Sequence, residues 1–214
     1  PRLLDLFDDF ITYLIVGIIL GGRFGYALFY NLSYYLEKPL EIFFIWNGGM
    51  SFHGGLIGVI VATQLFSKKH KIDKFVFLDL VALSAPIGIF FGRVSNFINS
   101  ELYGNPTNVP WSVKFTLIDN LNRHPSQLYE ALLEGVFLFI ILSHFLKRNY
   151  LKKPGQVSAL FLIFYSLFRF TVEFFRVPDQ QIGYIFLNLT MGQLISILFL
   201  IFGGALFVYK KNEN

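Results

Sequence analysis

The stretch FVFLDLVALSAPIGIFFGRVSNF, residues 75–97, decides the fold class. A helix needs about 20 predominantly apolar residues to cross the hydrocarbon core of a bilayer. These 23 residues meet that length with two charges among them, Asp79 and Arg93. Outward from it lie five more stretches of similar character, at about Phe10–Tyr30, Gly49–Phe66, Gln127–Leu146, Gly155–Phe175 and Met191–Tyr209. The expected architecture is an all-α polytopic membrane protein with six transmembrane helices, forming a single membrane-embedded domain over residues 1–214. Composition agrees: 54% of residues are hydrophobic and 15% charged, with mean hydropathy +0.55, whereas a soluble domain carries about 25% charged residues. Disorder, collagen, a coiled coil and a compact cytosolic enzyme are excluded.

The connections orient the spans. Lys68, Lys69, Lys71 and Lys74 follow the second stretch, Lys147, Arg148, Lys152 and Lys153 the fourth, and Lys210 and Lys211 the last. The alternate connections hold few cations: Lys38 in one, Lys114 and Arg123 in the next. The positive-inside rule places the lysine-rich connections and the C-terminus in the cytoplasm. Acids precede the first stretch (Asp5, Asp8, Asp9) and no cleavage site follows it, so it is not a signal peptide. The chain opens at Pro1 rather than Met, and a seventh, N-terminal helix is expected ahead of it. Residues 98–125 are too polar to span and long enough for an outer-face loop or small head. Residues 31–47 read as an outer-face interfacial segment, with Tyr34, Tyr35 and Trp46 in the aromatic belt.

On that orientation the polar residues of the spans gather at one depth. Arg23 lies in the outer half of the first, and His53 at the outer start of the second. Arg93, Asn96 and Asn99 close the third, with Glu101 just beyond. Gln127, Glu130 and Glu134 open the fourth, and Arg169, Glu173 and Arg176 close the fifth. Asp79, at the inner start of the third, stands apart. Ionisable groups within a membrane are costly, face the bundle interior and mark function. Arg169 and Glu173 share a helix face at i,i+4, as do Glu130 and Glu134. Taken singly, such pairs are as well explained by ion pairing that holds a bundle together. Confined to one leaflet, the set describes a site opening outward rather than a conduit across the membrane.

The chemistry is bounded by what is missing. With no Cys there is no disulfide, thiolate metal site or Cys nucleophile. His53, His70, His124 and His144 are scattered and form no HExxH, so no metal or cofactor is expected. The glycine-rich runs GGRFG (21–25) and GGMSFHGG (48–55) lie in spans, where close helix packing is the default explanation. Arginine recognises phosphate through a bidentate fork, which makes Arg93 and Arg169 candidates for holding an anionic phospholipid headgroup. His53 is the group at this depth that titrates near neutrality and suits a proton acceptor.

Five segments then resemble a known family, the prolipoprotein diacylglyceryl transferases of the bacterial plasma membrane. They are GGMSFHGGLIG (48–58), GRVSNFINSELYGNPT (92–107), RHPSQLYEALLEG (123–135), FYSLFRFTVEFFRVPD (164–179) and TMGQ (190–193). They occur in the family's order, and the second is its signature. Ser100 and Ser166 stand where the family commonly has Gly. The resemblance implies an inner-membrane enzyme whose site opens to the outer leaflet. Such an enzyme moves the diacylglyceryl group of phosphatidylglycerol onto the lipobox cysteine thiol of a preprolipoprotein, yielding a thioether and glycerol 1-phosphate. It needs no cofactor and no nucleic-acid partner. By the motifs, Arg93 binds the phospholipid and Asn96, Glu101 and Gly104 shape that site. Arg169 stabilises the leaving phosphate, Glu173 orients Arg169, and His53 is the base. Tyr165, Asn99, Gln127, Glu130 and Arg23 are supporting residues. Two routes to the substrate thiolate stay open, proton removal by His53 or stabilisation by a nearby guanidinium. Two competing classes are a membrane transporter and a non-catalytic lipid-binding scaffold.

Overall fold

In the computed structural model, residues 6–147, 153–178, 183–186 and 188–212 are described, without the side chains at positions 52, 53 and 186. Arg148, Lys152 and part of the 177–190 connection therefore lie outside the described residues, as does the side chain of His53. All six expected stretches contain helix: α1 (Phe7–Phe29), α3 (Phe52–His70), α4 (Lys74–Ile98), α5 (Ser126–Glu130) continuing into α6 (Leu138–Lys147), α7 (Gln156–Val172) and α8 (Met191–Asn212). A short α2 (Leu32–Glu37) follows α1. Four of these, α1, α4, the continuous 126–147 helix and α8, are long and apolar enough to cross a membrane. By the same measure α3 falls short because of its glycines, Gln64 and a basic C-terminus, and α7 because it has only 17 residues. The expected 31–47 segment is α2 followed by two short 3-10 turns, Pro39–Phe43 and Ile45–Asn47.

The chain divides into two compact units, Pro1–Leu78 and Asp79–Asn214. In the first, α1 and α3 meet through glycine. Gly17, Gly21 and Gly25 repeat every four residues on α1 and face Gly54 and Gly58 on α3. A Cβ built on Gly58 would sit 1.9 Å from the carbonyl oxygen of Gly17, and one on Gly21 would sit 2.3 Å from that of Gly54. The backbones are thus in direct contact, the geometry that small-xxx-small spacing permits where lipid offers no hydrophobic drive for association. Away from this seam, the buried rings of Phe10, Phe66 and Phe77 pack at centroid distances of 4.7–5.3 Å. At the other end, Ser51 caps α3 by accepting a hydrogen bond from the Gly54 amide at 3.1 Å, which fixes the turn that carries His53.

The second unit is a helical layer with a small polar head. Leu138, Leu142, Val157, Leu160 and Ala82 form its buried apolar core. Gly203 brings α8 onto α7, where a Cβ would meet the Leu162 Cβ at 2.9 Å. The 126–147 helix is not a plain span. Between α5 and α6, residues Ala131–Phe137 follow a π-helical path, and within it Gly135 lets the backbone of Phe90 on α4 approach closely. Such π insertions are rare and collect at functional sites. The segment after α4 folds as a compact polar loop, the head. Strands β1 (Val113–Lys114) and β2 (Asn122–Arg123) pair antiparallel. Residues 103–107 bond to both neighbours, with the Gly104 amide on His124 O at 3.1 Å and the Asn105 amide on Phe175 O at 2.8 Å. The fifth stretch stops being helical at Val172, short of the expected Phe175, because Phe175–Val177 turn aside to make these bonds. Beyond it, β3 (Tyr184–Phe186) pairs with β4 (Leu189–Thr190) ahead of α8.

Gly58→Val tests the glycine seam. Overpacking of this kind costs about 1–3 kcal/mol, so the melting midpoint in detergent should fall by several degrees. Gly204→Val, at a position with open space around it, should leave the midpoint unchanged.

Candidate active site

Three arginines and three glutamates of the second unit are packed together, the glutamates buried and Arg93 partly accessible. Glu130, at the last position of α5, and Glu134, on the π-helical stretch, are both 0% exposed. Arg93 of α4 brings its Nε within 2.6 Å of Glu130 Oε2. Arg169 of α7 brings its Nη1 within 3.0 Å of Glu130 Oε1, and Arg176 reaches the same oxygen at 4.0 Å. Glu134 lies 3.7 Å from Arg93 and 3.8 Å from Arg169. One carboxylate therefore gathers guanidinium groups from α4, from α7 and from just beyond α7. Neither oxygen of Glu130 or Glu134 makes an aligned hydrogen bond among the described residues, so these are charge contacts.

The other edge of Arg169 is held separately. Its Nη2 is 2.7 Å from Glu173 Oε2, and Glu173 Oε1 accepts a hydrogen bond from the Thr190 hydroxyl at 2.9 Å. Thr190 begins α8 as one half of a capping box: its amide donates to Gln193 Oε1 at 3.0 Å, and the Gln193 amide donates to Thr190 Oγ1 at 3.3 Å. Gly192 completes the fit, since a Cβ there would sit 2.8 Å from Glu173 Oε1. All of TMGQ but its methionine thus acts on Glu173 or on the cap beside it. A cavity of about 360 Å³ opens here, lined by Glu173, Phe174, Tyr184, Asn188, Thr190 and Gln193.

The head rests on the same helices. Asn96 donates from Nδ2 to Glu101 Oε2 at 2.8 Å, and the Glu101 amide returns to Asn96 O at 2.8 Å, closing the end of α4. Ser100 sits in this turn at φ +58°, in the left-handed region where glycine is at ease. Gln127, fully buried, donates to the Glu101 carbonyl at 2.6 Å. Gly104 is required by crowding: a Cβ would lie 2.3 Å from His124 O and 2.7 Å from Phe175 O. Arg123 closes the β1–β2 hairpin by donating to Asp119 (Nε to Oδ1, 3.2 Å), and that bond holds the Asp119 carboxyl below the usual range.

The expected residues thus separate into groups. Arg93, Glu130, Arg169 and Glu173 form the ionic cluster, while Asn96, Glu101, Gln127 and Gly104 build the head's attachment. Asn99 is exposed and joins neither. Tyr165 stacks on Phe161 at 5.5 Å and packs against the apolar core. Arg23 belongs to the first unit and is 4% exposed. It donates to five backbone carbonyls: Glu41 at 2.6 Å, Ile42 at 2.7 Å, Phe44 at 3.1 Å, Gly49 at 3.2 Å, and Gly48. Its part is to fold the 41–49 segment. Thr190, Gly192 and Gln193 were not among the expected site residues, although T-x-x-Q ahead of an apolar run is the sequence signature of a capping box.

Glu130→Gln should be severely destabilising. Removing one partner of a buried ion pair leaves the other charge uncompensated, at a cost of about 3–5 kcal/mol. The melting midpoint in detergent should drop accordingly, and Glu37→Gln, at an exposed position, should not move it.

The sequence matches the family described as prolipoprotein diacylglyceryl transferase over residues 1–209. Three similar proteins carry the name phosphatidylglycerol–prolipoprotein diacylglyceryl transferase. That of Rickettsia bellii is 54% identical over 202 residues, covering 94% of this chain and 77% of its own length. That of Rhodospirillum rubrum is 52% identical over 209 residues (97% and 76%), and that of Rhodopseudomonas palustris 50% identical over 205 (95% and 72%).

Proposed function

The chain belongs to the prolipoprotein diacylglyceryl transferase family, and from this we propose that it transfers the diacylglyceryl group of phosphatidylglycerol to the lipobox cysteine of a preprolipoprotein. The observation that carries the reading is the pair of guanidinium groups, Arg93 and Arg169, drawn to one buried carboxylate. Glu130 occupies one edge of each. Arg93 remains 20% accessible in its side chain, and its Nη1 has no partner among the described residues. A planar fork with one edge spoken for and the other open suits a phosphate oxygen.

In the reaction a C–S bond forms at the glyceryl carbon as its C–O bond to phosphate breaks. The electron pair leaves on the phosphate oxygen, and glycerol 1-phosphate departs. The nucleophile comes with the peptide, so a chain with no Cys is sufficient. Arg93 holds the lipid phosphate, and Arg169 meets the charge that grows on the leaving oxygen, where preorganised donors contribute most. Glu173, pinned by Thr190, keeps Arg169 turned toward that position. Asn96, Glu101 and Gly104 set the head above the lipid site. His53 takes the thiol proton, an assignment that rests on its motif and on the capped first turn of α3. The six helices span the bacterial inner membrane with the site open to the outer leaflet and the C-terminus in the cytoplasm. A transporter reading has less behind it, since polar residues are not spread through the depth of the spans.

The test is transfer in detergent from phosphatidylglycerol to a fluorescent lipobox peptide, with mass spectrometry for the thioether and a Cys→Ala peptide beside it. Arg93→Ala and Arg169→Ala should each lower turnover by about 100-fold or more, the scale of losing one charge-stabilising donor; each also unpairs the buried Glu130, so Arg93→Lys and Arg169→Lys, which keep a cation beside it, should show the loss with folding retained. His53→Asn should lower turnover and abolish an acid limb near the ordinary imidazole range of about 6.5. A full-rate His53→Asn enzyme with an unshifted pH profile would assign thiol activation to an arginine instead.

A further inference from the structure

Asp79 is the charged residue of the 75–97 stretch that the ionic cluster does not use. It lies near the opposite end of α4 from Arg93 and is tied to α7. Its Oδ2 accepts from the Gly155 amide at 2.7 Å, and its Oδ1 accepts from the Ser158 amide at 2.8 Å and the Ser158 hydroxyl at 2.6 Å. These donors belong to the first turn of α7, whose own N-cap residue, Gly155, has no side chain to offer. A carboxylate on α4 thus caps α7 from outside, satisfying amides that would otherwise be orphaned and placing negative charge at the positive end of the helix dipole.

We propose that Asp79 is a positioning residue for diacylglyceryl transfer: by capping α7 from α4 it fixes the axial register of the two helices, and so the height at which Arg169 meets Arg93 across Glu130. This rests on the assignment of Arg93 and Arg169 to the reacting site. Both helices run from the Asp79 tie toward the cluster. Asp79 to Arg93 is 14 residues, about 21 Å of helix, and Ser158 to Arg169 is 11 residues, about 16 Å. Between the two ties the contact is apolar, with Ala82 against the cluster that holds Val157 and Leu160. Apolar packing in lipid has no hydrophobic drive behind it, because the surrounding chains are as apolar as the side chains, so interhelical hydrogen bonds carry more of the register. At the cluster end the ties are the arginines, whose long side chains can follow a sliding helix, and the backbone bonds of 103–105 to 175–177, which lie past the ends of both helices. The one at Asp79 is short, and two of its three donors are backbone amides. It is the direct pin between the two helices themselves. A slip of one residue would shift Arg169 by about 1.5 Å and break all three bonds.

The test uses the whole membrane enzyme with saturation kinetics in phosphatidylglycerol. Asp79→Ala should lower kcat by about tenfold or more while KM for the lipid stays within about twofold, the signature of reacting groups displaced by an ångström or so. Because the chain has no Cys, an Asp79→Cys/Ser158→Cys double variant can be joined uniquely by dibromobimane, which fluoresces fully once both thiols have reacted. Joining should restore kcat to within about threefold of the parent, and capping both thiols with N-ethylmaleimide should not, because only the cross-link fixes register. An Asp79→Ala enzyme at full kcat, or a fully cross-linked variant as slow as the capped one, would overturn the inference. Arg169→Ala is run in parallel. Full turnover there would overturn the site assignment and this inference with it, whereas an inactive Arg169→Ala beside an unimpaired Asp79→Ala overturns the inference alone.

Discussion

A carboxylate removed entirely from solvent must find cations, and Glu130 is such a carboxylate. Its desolvation is expensive enough that the surrounding chain has to converge on it. Arg93 arrives from α4, Arg169 from α7 and Arg176 from the turn after α7. Much of the second unit can be read as the means of that convergence. Gly135 lets α4 come close to the π-helical stretch, and Gly104 lets the head cross the end of α7 without a clash. The chain leaves helix at Val172 to bond with the head, which carries Arg176 back toward Glu130. An apolar replacement of the network would serve stability as well or better. Stability alone therefore does not account for its charge.

The first unit handles a buried guanidinium in the opposite way. Arg23 is more deeply buried than any arginine of the ionic cluster, yet its five N–H groups all end on backbone carbonyls. Its ring neighbour is Tyr35, 5.2 Å away. Carbonyl dipoles spread over the 41–49 turns disperse the charge without a carboxylate, and the turns gain a centre in return. A guanidinium saturated by its own backbone has no donor left for a ligand. That difference in donor accounting, rather than depth or burial, separates a structural arginine from a candidate binding one.

How far the sequence foretold this depends on the kind of signal. Helix positions followed from runs of apolar residues, because a bilayer imposes a length that composition displays directly. The ionic cluster was legible too, because i,i+4 spacing put Arg169 with Glu173 and Glu130 with Glu134 before any contact was known. The π-helical path of Ala131–Phe137 was not, because its pattern of apolar residues is the same as that of an ordinary turn. The five backbone acceptors of Arg23 were not legible, because depth was the criterion applied and depth says nothing of which acceptors the backbone will offer. Thr190 and Gly192 escaped because their partner, Glu173, is 17 residues away in the chain, and only folding brings an absent Cβ next to a carboxylate. Ser100 shows the converse. A non-glycine residue at φ +58° marks the family's preference for glycine there as conformational.

The choice of arginine over lysine follows from the same accounting. In the proposed role Arg93 has to be anchored and available at once, which asks for donors on two edges of one rigid group, whereas Glu130 and Glu173 hold Arg169 from two sides. A lysine ammonium at either position would keep the charge and satisfy Glu130, but it is a compact, strongly hydrated point with no second edge. Held against Glu130, it would have nothing geometrically fixed to present to a phosphate. The guanidinium plane transmits the position of the buried carboxylate to its far edge, so a fold that fixes Glu130 also fixes where an incoming oxyanion is met. Thr190, Gln193 and Gly192 hold Glu173, and Glu173 and Glu130 hold the plane of Arg169. Each step in that chain is a short contact, which is how helices free to slide in lipid are brought to the accuracy that displacement at a phosphate ester requires.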